Sequence, residues 1–216
     1  MRYPAQRKQE TRERIINSAR RLFNRHGFAE VTIDDIMRHA GLTRGGFYRH
    51  FDTKEQLYSH AIGQFLCMRA PEPWQRAHVD DCAKGTELAR MIVNAYLSQE
   101  HLEDRDGSCP LITLPSEVAR GGKAVKGAFR TVLNKLVEVF AANLPPHDAR
   151  QAALSLTALC VGAMVVSRAI DDVGLAAEIR AAARVHVLRT PGWDRVSQET
   201  IPRTCYERVD DLRMAT

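Results

Sequence analysis

Hydrophobic residues recur at helical spacing along most of the chain, and the breaks in that pattern divide it into elements. From Gln6 to about His26, Ile15, Ile16, Ala19, Leu22 and Phe23 share one face while arginines occupy the other, and Gly27 follows as a C-terminal cap. A short second helix is predicted after Thr32, its N-cap, with Asp34 and Asp35 in the electropositive first turn and Ile33, Ile36 and Ala40 facing inward. Gly41 ends it. After a tight turn a third helix covers Thr43 to His50, and Asp52 with Glu55 reads as a capping box opening a fourth. That fourth helix carries Leu57, Ala61, Ile62, Phe65 and Leu66 toward Pro71 and Pro73, which stop it. Two short helices joined by a Gly-containing turn behind a longer one have the spacing of a helix-turn-helix.

Beyond the prolines the pattern stays helical. Leu88, Met91, Ile92, Ala95 and Tyr96 form one apolar stripe; Val125, Phe129, Val132, Leu133, Leu136, Val137 and Phe140 form a second, broken at Pro145 and Pro146. Two further helices are predicted over 148–170 and 173–188. Between the first two stripes, "DRDGSCPLITLPSEVARGGK" reads as a turn plus a short helix. The fold class is therefore all-α: a three-helix head over 1–52, a larger helical body over 53–189 joined to it by the helix 53–70, and a weakly periodic extension over 190–216. No internal repeat is present.

Composition sharpens this. Aromatics make up only 6% of the chain, which favours helices over a sandwich or barrel. The net charge of +5 is unevenly placed: residues 1–62 hold 12 Lys/Arg against 7 Asp/Glu, and residues 63–216 hold 19 against 19. All the excess positive charge lies in the head, as a polyanion-binding head requires. The five cysteines are scattered without zinc spacing, so neither a disulfide framework nor a metal site is indicated. The N-terminus lacks the apolar core of a signal peptide, and a reducing cytoplasm is the expected compartment. The stretch over 152–170 is apolar, but it includes Ser155, Thr157, Ser167 and Arg168, so a helix buried on most sides is expected rather than a membrane span. No cofactor is implied. Neither a catalytic triad, a phosphate loop, HExxH nor a carboxylate pair stands out, which argues against an enzyme.

Gly45 and Gly46 sit inside a helix too short to afford them, because glycine costs a helix about 1 kcal/mol relative to alanine. Their bareness permits a close approach, and Thr43, Arg44, Tyr48, Arg49, His50 and Lys54 around them suit an anionic, hydrogen-bonding surface. The stretch "AEVTIDDIMRHAGLTRGGFYRHFDTKEQLY" resembles the DNA-binding head of TetR/AcrR-family transcriptional regulators, without a gap from about Ile15 to Ile62. The resemblance implies a dimeric, usually repressing regulator whose third helix enters the major groove of double-stranded DNA. On that reading Arg44 reaches guanine, Thr43 touches a base edge or phosphate, and Gly45 and Gly46 let the helix sit close to the bases. Tyr48, His50 and Lys54 match positions that hold the phosphate backbone, Arg49 serves either purpose, and Thr32 combines a helix cap with a phosphate contact. Phe47 and Phe51 pack the head, and Arg7, Lys8 and Arg12 add nonspecific attraction or remain solvated. Many relatives carry small side chains where this chain has the two glycines, so base reading leans on Arg44 and Arg49.

The resemblance further implies a palindromic operator, a homodimer and a small-molecule inducer bound in the body. Candidates to line that site are Phe65, Met68, Trp74, Tyr96, His101, Leu111, Leu114, Phe129 and Met164, each of which reads equally as plain core. Cys109, after Gly107 and Ser108 and just before a helix start, is a candidate sensor thiol, with a buried unreactive cysteine as its alternative. The family dimerises through its last two helices. Here Ala152, Ser155, Leu159, Gly162 and Val166 make a stripe permitting close approach, which Leu175, Ile179, Ala183 and His186 continue; an intrachain core is the other reading. A small-molecule-binding or adaptor protein of the same fold without operator binding is the rival function.

Overall fold

The computed structural model describes residues 5–67, 83–145 and 147–189, and every regular element among them is helical. In the head, α1 (Ala5–Glu30) and α2 (Ile33–His39) precede a 3-10 segment (Arg44–Arg49), and α3 (Lys54–Cys67) leaves toward the body. The body holds α4 (Gly85–Tyr96), α5 (Gln99–Glu103), α6 (Pro110–Thr113), α7 (Pro115–Arg120), α8 (Lys123–Ala142), α9 (Ala149–Ala169) and α10 (Val173–Leu188). Met68, Trp74, the stop at Pro71 and Pro73, and the extension over 190–216 lie outside the described residues.

The first helix breaks where the sequence predicts. Gly27 stands at φ +77°, a conformation closed to other residues without strain, and the chain resumes a helical path to Glu30. Thr32 caps α2 in a reciprocal capping box: its hydroxyl accepts the Asp35 N–H at 3.1 Å while the Asp35 carboxylate accepts the Thr32 N–H at 3.0 Å. The Thr32 hydroxyl, which also donates to Asp35 Oδ2, and then the Thr32 N–H hold the Asp35 carboxyl below the usual carboxylate range.

Two local expectations change. The segment expected as an α-helix over Thr43 to His50 is a 3-10 helix, bonded from Gly46 N–H to Thr43 O at 3.0 Å and from His50 N–H to Phe47 O at 2.9 Å. Six residues with two glycines and no side-chain cap cannot sustain the longer-range α pattern, and the buried rings of Phe47 and Phe51 pin the segment instead. The cap of α3 also lies one residue later than Asp52: the Thr53 hydroxyl accepts the Gln56 N–H at 3.0 Å, and Gln56 Oε1 accepts the Asp52 N–H at 2.7 Å. Glu55 takes no part in that pair.

α3 packs on α1 within the head and on α8 within the body, so it bridges the two as the sequence suggests. The buried side chains of head and body run together as one core, from Ile15, Phe23 and Phe47 through Leu57, Ile62 and Val93 to Phe140 and Met164. α9 lies against α8 and α10, and by length and composition it is apolar enough to cross a membrane. Ala153, Leu156, Cys160, Ala163 and Met164 face inward on it, while Leu154 and Val166 remain nearly half exposed. The expected burial on most sides is thus met on one face only.

Candidate nucleic-acid interface

The 3-10 segment buries its two phenylalanines and turns its polar residues out. Phe47 and Phe51 are sealed in the core, whereas Thr43, Arg44, Gly45, Tyr48 and Arg49 are exposed and Gly46 and His50 half-buried. Tyr48 stands edge-on to Phe47 with centroids 5.2 Å apart, so a buried ring braces an exposed phenol. Neither glycine is demanded from within the chain. Neither has a positive φ, a Cβ on Gly45 would meet nothing within 4 Å, and one on Gly46 would touch only Met37 Cε at 3.5 Å. The bare surface they leave faces outward.

The cations of this face are positioned to different degrees. Arg44 Nη1 donates to Asp34 Oδ2 at 2.7 Å, a pairing across the turn that has no counterpart in the hydrophobic pattern. Lys54 donates from Nζ to Phe28 O at 2.5 Å and lies 4.2 Å from the centre of the Phe28 ring. Burial holds its ammonium below the usual lysine range, against the pull of Glu55, Glu117 and Glu30. Lys54 is therefore a head-stapling residue as well as a candidate phosphate contact. Partial burial, then Lys8, Arg12 and Arg49, lower His50 below the ordinary imidazole range. Arg12 lies 4.8 Å over the Phe51 ring with Nη2 2.9 Å from His60 Nε2, so this arm residue packs rather than floats. The Thr32 hydroxyl, engaged with Asp35, is first of all a cap.

The seam between head and body is polar, and sequence reasoning missed it because its partners lie 60 to 89 residues apart. Arg20 Nη1 donates to Asp106 O at 2.7 Å, Asn24 Nδ2 to Ser108 O at 3.0 Å, and Arg25 pairs with the Asp106 carboxylate through Nε and Nη2. Glu117 of α7 accepts the Phe28 N–H. From the other side, Arg168 near the end of α9 donates to Ser108 Oγ at 2.8 Å and Leu102 O at 2.7 Å. The loop over 104–108 is thus held by α1 and α9 together. At Gly107 a Cβ would lie 2.5 Å from Asp104 Oδ2, so any other residue there displaces the carboxylate that accepts the Asp106 and Gly107 N–H groups.

The inducer-site candidates divide differently from their grouping in the sequence. Tyr96, His101, Leu111, Leu114 and Met164 are fully buried, and Phe65 and Phe129 lie half-buried against the same core. His101 Nδ1 lies 2.7 Å from Tyr96 O, and burial foremost keeps the imidazole below its ordinary range. Phe65 and Leu114 line a cavity of about 10 Å³ with Phe23, Tyr58, Ile62 and Pro110, room for at most one water. Cys109 does sit at the N-cap of α6, but it is 1% exposed and burial pushes its thiol up to about 12. Four residues of helix cannot offset that desolvation, so the reactive-thiol expectation gives way to its buried alternative. On the last two helices, Ser155, Gly162, Val166, Leu175 and His186 are exposed and Ala152, Leu159 and Ile179 half-buried, as a docking stripe requires. Ala183 is buried instead: it falls on the inner face of α10 with Ala176, Arg180 and Val187.

Residues 15–61 match the family described as bacterial regulatory proteins, tetR family. A stretch of 59 residues is 42% identical to the uncharacterised HTH-type transcriptional regulator YerO of Bacillus subtilis, covering 27% of this chain and 20% of YerO. A longer stretch of 180 residues is 24% identical to the uncharacterised HTH-type transcriptional regulator MT0206 of Mycobacterium tuberculosis, covering 76% of this chain and 87% of that one. Among solved structures, a TetR-family transcriptional regulator from Cytophaga hutchinsonii superposes with a TM-score of 0.69 at 20% identity, covering 84% of this chain and 94% of that one. The chain spans about a fifth of the length of YerO and under a third of the Tn10 TetC protein of Escherichia coli.

Proposed function

We propose that the chain is a cytoplasmic, sequence-specific transcriptional regulator of the TetR family, the family that residues 15–61 match, and that it binds a palindromic operator as a homodimer. The observation that carries this reading is the two-sided 3-10 segment: its phenylalanines lock it to the head while Thr43, Arg44, Gly45, Tyr48 and Arg49 face out. Arg44 at its N-terminal end is the base reader, for a guanidinium can grip guanine O6 and N7 together. Gly45 and Gly46 let the backbone come close. Tyr48, Arg49, His50, Lys54 and Thr32 hold the phosphates.

One head offers few base contacts, so two heads on one duplex supply the rest. Of the large hydrophobic side chains left exposed among the described residues, Leu154, Val166, Val173, Leu175 and Val185 all lie on α9 and α10. A second copy docked there covers them. Repression ends when a small apolar inducer rearranges the body, and the seam at the 104–108 loop and Glu117 carries that change to α1.

The test is selection of bound duplexes from a random pool with the purified chain at about 150 mM salt, where nonspecific phosphate attraction is weakened. A recovered palindrome is the expected result. Recovery of no motif by protein that is folded and dimeric overturns the operator-reading function and leaves a ligand-binding or adaptor role.

A further inference from the structure

The base reader proposed above has a partner whose presence needs a reason. Arg44 and Asp34 are both substantially exposed, 64% and 42% for their side chains, and exposed ion pairs contribute little to stability. Nor does α2 require Asp34 for its cap, because Thr32 and Asp35 complete the capping box between them. Asp34 therefore places a carboxylate directly beside Arg44, the proposed base reader. Facing a polyanion, such a group weakens binding to every DNA sequence alike.

Selectivity is what it supplies in return. Arg44 is followed by two glycines, so no neighbouring side chain on that flank holds its long stem in place. With Nη1 on Asp34 Oδ2 at 2.7 Å, the guanidinium is fixed at one corner and its other N–H groups stay free for a two-pronged grip on guanine. The carboxylate also repels phosphate, which denies Arg44 its most available wrong partner. We infer that Asp34 is a positioning residue for base recognition, holding Arg44 in the geometry that reads guanine and keeping it off the DNA backbone. The inference rests on the operator-reading function proposed above.

The experiment compares the full-length wild type with Arg44→Ala, Asp34→Ala and Asp34→Asn in competition binding to selected operators. The operators carry each of the four base pairs in turn at the position where Arg44→Ala abolishes preference. Asp34→Ala is expected to lose roughly fivefold to a hundredfold of the discrimination at that position and none elsewhere. Its melting temperature falls only slightly, through the loss of a carboxylate from the first turn of α2, and its affinity for nonspecific DNA is equal or higher. Asp34→Asn, which keeps one acceptor oxygen, recovers part of the discrimination. Full retention of base preference by Asp34→Ala, with all DNA bound more tightly, overturns the inference and makes Asp34 a general brake on the head. A wild-type protein that selects no motif overturns the operator-reading function itself, and the inference falls with it.

Discussion

Glu117, on α7 of the body, receives the backbone N–H of Phe28 of the head on both carboxylate oxygens, at 2.7 and 2.8 Å. The Ala29 N–H adds a third contact at 3.3 Å. The break in α1 at Gly27 frees these amides from the helical ladder, and a carboxylate 89 residues away in sequence satisfies them. The same break depends on its glycine twice over, because φ is +77° and a Cβ would lie 2.8 Å from Glu117 Oε1. Head and body therefore meet at a charged hydrogen bond rather than through apolar packing alone.

Glu117→Ala is expected to destabilise the chain by about 1.5 to 3 kcal/mol, the usual range for hydrogen bonds to a charged group. Gly27→Ala costs about 1 to 3 kcal/mol through strain and the same displaced carboxylate. Because both changes strike one contact, the double variant should lose less than the sum. Urea denaturation of the four proteins measures this; simple additivity would mean that the two residues act independently.

Lys54 and Arg44 should part company in DNA binding and in stability. Arg44→Ala is expected to lose about 1 to 3 kcal/mol of base discrimination per half-site with its fold intact. Lys54→Ala should weaken binding to all sequences, flatten the salt dependence by about one unit and lower the melting temperature as well. The last effect follows from its bond to Phe28 O and its seat on the Phe28 ring. Lys54→Met keeps the packed stem and should restore part of the thermal stability without the affinity. Salt titrations beside thermal melts make the comparison.

Gly162→Leu tests the proposed dimer. Within one chain a Cβ at this position meets nothing within 4 Å, so the substitution leaves the protomer unstrained and improves helix propensity by roughly 0.8 kcal/mol. Loss of the dimer in light scattering, with helicity retained, is the expected outcome. A dimer of unchanged affinity would move the interface away from this face.

Cys109 is expected to resist modification in the folded chain. Its thiol is pushed up to about 12 by burial, which leaves little thiolate for an electrophile at neutral pH. Cys160 is raised to about 12 for the same reason. Alkylation at pH 8 read by peptide mass spectrometry should show both unlabelled until denaturant is added; rapid labelling of Cys109 in the native protein would restore its candidacy as a sensor.

Near-neighbour order in the chain was enough for most helices and for which residues of the 3-10 segment are buried. The stops at Gly27 and Gly41, the cap at Thr32, and the burial of Phe47 and Phe51 follow from periodicity and cap chemistry, which act over three or four residues. On α10, Ala183 shows that a stripe alone does not say which of two faces a small residue serves. Contacts across the fold were not legible. Asp34 meets Arg44 only once the turn folds back, and Arg20, Asn24, Arg25, Glu117 and Arg168 find partners 60 to 89 residues away. Such pairs leave no periodic trace, since a charged side chain on a helix surface looks the same in sequence whether water or a distant backbone carbonyl receives it. The state of Cys109 was likewise decided by packing: its place before a helix start is local, but burial in the closed core overrides it and outweighs the Leu111 and Tyr96 hydrogen bonds that pull the thiol the other way.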